Sequence, residues 1–504
     1  MRKWNILFLL SLSWLVSCTS DIVVTHTLSE DVSIFPDYKD VTVPWNIAPL
    51  NFSVESEGST ALLVEGADGF GFQVRGSEDG LFVIPPKKWK ALLSASRGSD
   101  LTLTVCREEA GGWAAYPPFA IHVAEEGIDP YMAYRLVQPG YTYWHHMGLY
   151  QRSLETYEQT PIYENRYTDY NCVNCHSFPA RSPGKMTFHM RAKHAGTVML
   201  QGDRLEKLNT QTAETVSALV YPYWHPSERY MAFSVNDTKQ AFFAHSENVL
   251  EVFDNASDVV LYDVEKHEVF SSPLLKSDDA FETFPTFSPD GRSLYFCSAV
   301  KVDSLPLTYK DVHYSLCRID VDVESRTFGT EVDTLYNAVR DGRSISFPRL
   351  SPDGRFMAVT LHDAGNFSIW HPEADLYLID LQTGDMRPLT EANSPDATDS
   401  YHSWSSNGRW LAFSSRRLDG LYTRPFFTYI DGTGHAHKPF LLPQKDPTVH
   451  YDNLFFSYNI PELISGKVEV SQQDIARMMK DTEGVDVKYE ACFSDYPLAR
   501  FNTY

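Results

Sequence analysis

The stretch that decides the fold is residues 284–296, which read FPTFSPDGRSLYF. Residues 347–359 repeat the same pattern as FPRLSPDGRFMAV. In both copies an aromatic residue and a proline lead to Ser-Pro-Asp-Gly-Arg, and alternating apolar residues follow. Pro, Asp and Gly favour a tight turn, and the alternation has the two-residue period of a half-buried strand. Each copy therefore predicts a β-hairpin.

Three more copies of this pattern extend along the chain. Residues 221–233 (YPYWHPSERYMAF) and 401–413 (YHSWSSNGRWLAF) keep the frame without gaps, and residues 178–188 give a copy that is two residues shorter at its turn. Further strand-like segments follow each hairpin, so each unit has about four strands. One such sheet cannot bury both of its faces, and repeated units of this kind stack radially into a β-propeller.

The Ser-Pro-Asp-Gly-Arg repeats resemble those of the TolB-like propeller family, and the resemblance covers residues 177–442. It implies six blades, whereas the pattern occurs five times. The sixth blade would combine residues 451–460 with an earlier strand at 131–137, which would close the ring by joining the two ends of the chain. The expected fold class is all-β, with an N-terminal β-sandwich-like domain followed by a six-bladed β-propeller.

The composition and turn signals divide the chain into five segments. We expect a short helix at 149–157 within the connector defined below, and a second helix at 472–480 that is capped by Ser471. The expected segments are a signal peptide with a lipobox (1–18), a β-sandwich-like domain (37–126), a connector (127–176), the TolB-like propeller (177–465) and a C-terminal tail with a short helix (466–504).

The N-terminus has the pattern of an export signal. Arg2 and Lys3 precede an apolar run at 6–16, which is too short to remain as a membrane-spanning helix. The following Leu-Val-Ser-Cys resembles a bacterial lipobox, in which the thiol of Cys18 is lipidated. We therefore expect an exported protein, held on a bacterial membrane by the lipid anchor alone. The alternative is an ordinary signal peptide that is removed together with Cys18.

The net charge restricts the partners. The chain of 504 residues carries a formal net charge of −23 and has no concentrated Lys/Arg patch. Nucleic acids and anionic lipid surfaces attract basic proteins, so both are excluded as direct partners. We expect instead a redox partner, or another protein of the periplasm or outer membrane.

Cys172, Cys175 and His176 have the C-x-x-C-H spacing of covalent c-type haem attachment. The two thiols would bond to the haem vinyl groups, and His176 would be the proximal iron ligand. Met190 or His189 would supply the distal ligand, and the pair at 145–146 offers two more histidines. The alternatives are a disulfide between the two cysteines and half of a zinc site. The expected cofactor is one covalently bound haem c.

Other residues are candidates for ligand binding in the central channel. His225, Arg349 and His402 fall on the innermost strands, where propellers commonly bind ligands. Cys297 and Cys317 lie on neighbouring strands and form either a disulfide or two buried thiols. The leading functional hypothesis is electron transfer or redox sensing, and the alternative is a non-redox scaffold that binds a protein or a glycan. An enzyme is less favoured, because the chain has no G-x-S-x-G motif.

Overall fold

The computed structural model describes residues 22–55, 58–139, 146–243 and 248–490. Most of the chain forms six radial sheets, which we number as blades 1 to 6 in ring order. The strands of blades 1 to 3, innermost first, are Val173–Ser177, Lys185–Met190, Gly196–Gln201 and Arg204–Asn209; Leu219–Trp224, Tyr230–Phe242, Leu250–Asp263 and Glu268–Phe270; Ala280–Phe287, Ser293–Val300, Ser315–Asp322, Thr327–Phe328 and Asp333–Tyr336. Those of blades 4 to 6 are Ser344–Leu350, Phe356–His362, Asp375–Asp380 and Met386–Pro388; Asp399–Trp404, Trp410–Ser415, Arg424–Tyr429 and Phe440–Leu441; Ser457–Ile464, Tyr131–Val137, Gly148–Ser153 and Gln159–Glu164.

The repeated turn explains why the sequence pattern recurs. In blade 4 the Ser351 hydroxyl donates to Asp353 (2.5 Å) and accepts the backbone N–H of Phe356 (2.9 Å). Gly354 has φ of +73°, a left-handed conformation that glycine adopts without strain. In blade 5 the Ser405 hydroxyl makes the equivalent bonds: it donates to Asn407 (2.6 Å) and accepts the N–H of Trp410 (3.0 Å). In blades 4 and 5 the side chains therefore fix the turn that leads the inner strand into the next.

Both ends of the chain contribute to blade 6, as predicted, but the later segment was expected at 451–460, whereas residues 451–453 end the helix Pro447–Asn453 and the strand begins at Ser457. Its innermost strand, Ser457–Ile464, pairs antiparallel with Tyr131–Val137. The stretch predicted to be a connector supplies this strand and the next two. The prediction of a helix at 149–157 was wrong, because Gly148–Ser153 is a strand. It pairs with Tyr131–Val137 on one side and with Gln159–Glu164 on the other.

Each inner strand has a bulge at the same place, next to the central channel. The first residue of the bulge has φ between 48° and 56° in every blade, and the six residues are Cys175, Tyr221, Phe284, Phe347, Tyr401 and Ile460. In blade 1 the register shifts between Asn174 and Ser177, so Cys175 and His176 occupy the aromatic–Pro position. The predicted alignment of Phe178 with Tyr221 was therefore displaced by three residues.

The aromatic members of these six residues fill the channel at mid-depth. The ring of Phe284 lies 4.7 Å from Tyr221 and 4.2 Å from Phe347, measured between centroids. Phe347 lies 4.8 Å from Tyr401. Pairs at these distances attract one another as well as burying apolar area.

The N-terminal module packs against blades 5 and 6. Its larger sheet contains Val24–Thr27, Val41–Val43, Thr60–Glu65, Gly71–Arg75, Ser99–Glu109, Gly112–Ala115 and Phe119–Val123, and its smaller sheet contains Ile34–Phe35, Phe52–Val54 and Leu81–Phe82. The helix Pro86–Ala95, which the sequence did not predict, buries Trp89, Leu92 and Leu93. The same apolar cluster includes Trp410 and Tyr458 of the propeller, so the two parts share a core.

The C-terminal segment crosses the outer edge of two blades. The helix Gln472–Asp481 begins after Ser471, whose hydroxyl accepts the N–H of Asp474 (3.2 Å), as predicted. Beyond it, Val485–Asp486 pairs in parallel with the outer strand of blade 1, and Lys488–Tyr489 with that of blade 2. We call residues 485–489 the strap. The remaining helices are Ala338–Asp341 and Pro447–Asn453, and the 3-10 turns are Asn165–Thr168, Pro179–Arg181, Ala192–His194, Tyr309–Asp311 and Ser368–Trp370.

Two further expectations concern the cysteines and the membrane. Cys297 and Cys317 are both buried free thiols, and Cys297 pairs with Leu316 rather than with Cys317, so no disulfide joins them. Within the described ranges, no helix combines the length and the apolar character needed to cross a bilayer. Cys18, the expected signal peptide and His145 lie outside the described residues.

Candidate functional site

The principal cavity is a funnel of ≈ 340 Å³ at one end of the central channel. It opens on the face where the inner strands lead into the Ser-Pro turns, and its floor includes Cys175, Tyr221, Phe347, Tyr401 and Ile460. Aromatic rings and prolines from all six blades surround it. The polar and charged side chains that sequence reasoning singled out there are His176, His225, Arg349 and His402.

His176 is a buried polar residue of the funnel that is only partly satisfied, since one ring nitrogen lacks a partner among the described residues. It is only 5% exposed, and its Nε2 atom has no hydrogen-bond partner within the part of the chain that the structure describes. The nearest carboxylate oxygen, on Glu462, is 3.8 Å away. Burial, followed by the charge of Arg135, lowers the pKa of His176 to about 4, so the imidazole is neutral at pH 7. A ligand in the funnel would supply a partner for Nε2.

Glu462 faces His176 from blade 6. It stands two residues after Ile460, the position that Arg349 occupies after Phe347 and Tyr223 occupies after Tyr221. Its carboxylate accepts the backbone N–H of Phe178 at 3.0 Å. Burial raises the pKa of Glu462 to about 7, and the hydrogen bond from Phe178 opposes that shift.

Two arginines line the funnel without a carboxylate partner. The Arg349 guanidinium lies over the ring of Tyr223, 5.3 Å from its centroid, and Nη1 donates to the carbonyl of Pro348 at 2.8 Å. Arg181 donates through Nε to the carbonyl of Trp404 at 2.8 Å. Among the ion pairs of the described residues, none includes either arginine. Burial lowers the pKa of Arg349, although the group remains a cation at neutral pH.

His225 and His402 are held by the protein itself. His225 contacts the carbonyl of Gly291 through Nε2 (3.1 Å) and Ser227 through Nδ1 (2.8 Å). His402 donates through Nε2 to the carbonyl of Ala358 (2.9 Å), and burial lowers its pKa to about 3. Both rings form walls of the funnel, and His402 occupies the same inner-strand position as His176.

The three residues of the haem-attachment motif do not converge on one cavity. Cys175 and His176 line the funnel, but Cys172 packs against the apolar cluster between blades 6 and 1. Cys172 and Cys175 are free thiols. Cys172 precedes the strand Val173–Ser177, and Cys175 lies at the bulge of that strand, so the two side chains have different surroundings. A porphyrin bonded to both sulfurs does not fit the funnel in this arrangement.

The expected distal ligands also lie away from the funnel. Met190 belongs to the buried apolar cluster of blade 1, and His189 contacts Thr197 through Nδ1 at 3.0 Å. His146 is exposed, with its ring 5.8 Å from that of Tyr170. Over the described ranges, no group of three or more His, Cys, Asp or Glu side chains is placed to hold a metal ion.

Sequence reasoning missed Glu462, Arg181 and Tyr223. Tyr223 and Glu462 stand at the position of Arg349 in their own blades, so a six-way alignment of the inner strands would have found them. That alignment needed the Ile460–Pro461 pair, which lacks the aromatic residue of the repeat and is not followed by a Ser-Pro turn. Arg181 lies in a 3-10 turn that only blade 1 has at this place.

The fold defines the protein as a six-bladed β-propeller with a funnel at one end of its channel. No family model matches the chain, and no curated protein matches it. Solved structures similar to it include a puromycin hydrolase, at 13% identity and a TM-score of 0.37 over 62% of this chain and 52% of that one. Prolyl oligopeptidase B from Galerina marginata matches at 10% identity and a TM-score of 0.34, over 68% of this chain and 42% of the other.

A putative dipeptidyl aminopeptidase IV from Bacteroides ovatus matches at 12% identity and a TM-score of 0.27, over 64% of this chain and 61% of that one. The matched part is about half the length of the first of these solved structures. The identities are low, and the likeness concerns the propeller fold alone.

Proposed function

We propose that this protein is an exported, lipid-anchored recognition propeller of the TolB-like type, which binds part of another cell-envelope protein in its funnel. The observation that carries the proposal is the unsatisfied state of the funnel. A buried Nε2 of His176 and the guanidinium of Arg349, which lacks an acidic partner, face the same enclosed space. A buried polar group without a partner costs about 1–3 kcal/mol, so a ligand that bonds to it regains that free energy.

The shape of the site also favours binding. The funnel is walled by prolines and aromatic rings on a ring of strands, with charged, imidazole and hydroxyl groups among them. Concave sites of this composition hold ligands without a large change in the protein. The lipid anchor on Cys18 would keep the funnel at a membrane surface, within reach of other envelope proteins.

The test is site-specific photo-crosslinking in cells, with a matched pair of positions. Ala180 and Ala192 are both exposed alanines of blade 1 with positive φ, each in a 3-10 turn, but only Ala180 lines the funnel. A photoreactive residue at 180 should give a discrete adduct with an envelope protein, whereas the same residue at 192 should not. Equal adducts from both positions, or none from 180, would count against the proposal.

Electron transfer through a covalent haem c is the second candidate function. The observation that favours it is the neutral imidazole of His176, whose Nε2 has no partner among the described residues, beside the Cys175 thiol. It requires Cys172 to leave its apolar contacts, which is the weakness of this candidate. A pyridine haemochrome spectrum of protein produced in a host that matures c-type cytochromes tests it. Mass spectrometry of the same material reports both a haem adduct and the acyl groups on Cys18.

A further inference from the structure

The funnel is positively charged in a molecule that is otherwise strongly acidic. The chain carries a net charge of −23, yet Arg349 and Arg181 line this cavity, and neither forms an ion pair with a described residue. Glu462 is the acidic side chain of the lining; it forms no ion pair with either arginine in the described part of the chain, although the charges of both arginines oppose the rise in its pKa. A cavity with low-dielectric walls and unpaired cations attracts an anion.

The orientation of Arg349 indicates which anion. Stacking on Tyr223 and the bond from Nη1 to Pro348 hold the planar guanidinium in place. A guanidinium has five N–H donors, and one of them is used in this contact. The remaining donors form the parallel pair that binds a carboxylate in a bidentate manner.

We propose that the funnel recognises the carboxylate at the C-terminal end of a peptide chain. The carboxylate would bind Arg349, with Arg181, which is bonded to the carbonyl of Trp404, adding positive charge. His176 Nε2 would then bond to a polar group of the last residues, because a neutral imidazole nitrogen either donates or accepts. This inference rests on the proposed function and specifies the ligand of the same site.

The aromatic rings favour a peptide over an acidic sugar. A sugar ring stacks on an open aromatic face, but Arg349 already covers the face of Tyr223. Phe347 and Tyr401 in the floor stand edge to face, at 88°. This pair offers a ring edge, against which apolar side chains pack.

The test uses three probes and tryptophan fluorescence. Trp224 and Trp404 line the funnel, so a ligand there should alter their emission. The probes are N-acetyl-Ala-Phe with a free carboxylate, the same dipeptide as its C-terminal amide, and glucuronic acid. We expect the free acid to bind at least about tenfold more tightly than the amide, because a charged hydrogen-bond pair is lost in the amide.

Variants locate the binding. Arg349→Gln should weaken binding of the free acid about tenfold or more and should leave the weak binding of the amide unchanged. Arg349→Lys keeps the charge but loses the bidentate geometry, so its affinity for the free acid should lie between those of the wild type and Arg349→Gln. The matched control is Arg340→Gln, since Arg340 is exposed and bonds to the adjacent Asp341. Thermal unfolding of each variant shows whether it is folded.

The outcomes separate the two proposals. Equal binding of acid and amide would overturn the carboxylate assignment, while binding in the funnel would stand. Tighter binding of glucuronic acid than of the dipeptide acid would replace the peptide with an acidic glycan. Unchanged binding by a folded Arg349→Gln protein, or no response to the free acid, would overturn the inference. The crosslinking at residue 180 would still decide the proposed function.

Discussion

At the scale of single residues, the surroundings of Glu282 on the inner strand of blade 3 disfavour its ionised form. It is 1% exposed, and neither carboxyl oxygen has a well-formed hydrogen bond with a described residue. Burial, and after it the charge of Asp258, raises the pKa of Glu282 well above its usual range. The residue therefore stabilises the fold most when it is protonated.

Replacing Glu282 with glutamine tests this directly. A carboxyl whose pKa is raised on folding contributes stability that is fully present below pH 4.5 and is lost as pH rises through the folded-state pKa. The free energy of unfolding of the Glu282→Gln protein should therefore rise relative to that of the wild type as pH rises, by about 1 kcal/mol or more at pH 9. Urea unfolding at pH 5 and pH 9 measures it. Exposed Glu331→Gln is the control, and a difference that is the same at both pH values would contradict the prediction.

His371 joins the long hairpin of blade 2 to blade 4. Its Nε2 lies 2.7 Å from Glu251 and its Nδ1 lies 2.9 Å from Glu373. Burial alone would lower the pKa of His371, but the two carboxylates outweigh that effect and raise it to about 9. Glu251 is fully buried, so removing the imidazolium leaves a buried carboxylate without its counter-ion.

His371→Gln should therefore destabilise the protein in a pH-dependent way. Because the pKa is raised on folding, the contribution of His371 is fully present below pH 6.5 and is lost as pH rises through about 9. We expect a loss of about 3 kcal/mol at pH 6 and a clearly smaller loss at pH 10. Hydrogen exchange of strand Leu250–Asp263 reports whether the hairpin loosens. A loss independent of pH would assign the residue a packing role only.

Residues of the funnel were only partly predictable. His225, Arg349 and His402 followed from their places on inner strands, and all three line the cavity. The state of His176 did not follow, because the absence of a partner for Nε2 depends on Glu462, 286 positions away along the chain, remaining 3.8 Å from it. Sequence spacing also gave no sign that Cys172 packs against the apolar cluster between blades 6 and 1 while Cys175 lines the funnel.

At the scale of elements, the Ser-Pro turn is a unit made by its side chains. Ser351→Ala removes both the bond to Asp353 and the acceptor for the N–H of Phe356, and should cost about 1 kcal/mol. Ser325→Ala is the control, because the Ser325 hydroxyl bonds in an exposed turn. Equal unfolding free energies for the two variants would show that the turn does not depend on the hydroxyl.

The strap offers a second test at this scale. Val487 is 6% exposed and packs in the apolar cluster shared by blades 1 and 2, whereas Val485 in the same strap is 39% exposed. Val487→Asp should destabilise the protein by about 2–4 kcal/mol, because it buries a charge without a partner. Val485→Asp should change stability by less than about 0.5 kcal/mol. Similar losses from both variants, measured by urea unfolding, would mean that the strap is not docked at Val487.

Elements with strong local signals were predicted correctly, and those fixed by tertiary contacts were not. The hairpins and the capped helix at Gln472–Asp481 follow from turn residues and capping. Strand Gly148–Ser153 has a sequence that also suits a helix, and pairing with Tyr131–Val137 decides its conformation. The strap has no local signal, because its two short strands pair with neighbours more than 200 residues away.

At the scale of the whole molecule, the ring is closed by strand Ser457–Ile464 lying beside Tyr131–Val137. During synthesis the ribosome delivers the other three strands of blade 6, which end with Gln159–Glu164, nearly 300 residues before strand Ser457–Ile464 emerges. Until then the nascent chain has an open seam with unpaired edges on Tyr131–Val137, and such edges invite pairing with other chains. A chain that ends before Ser457 should therefore aggregate when it is produced, even though its first five blades have complete sequences.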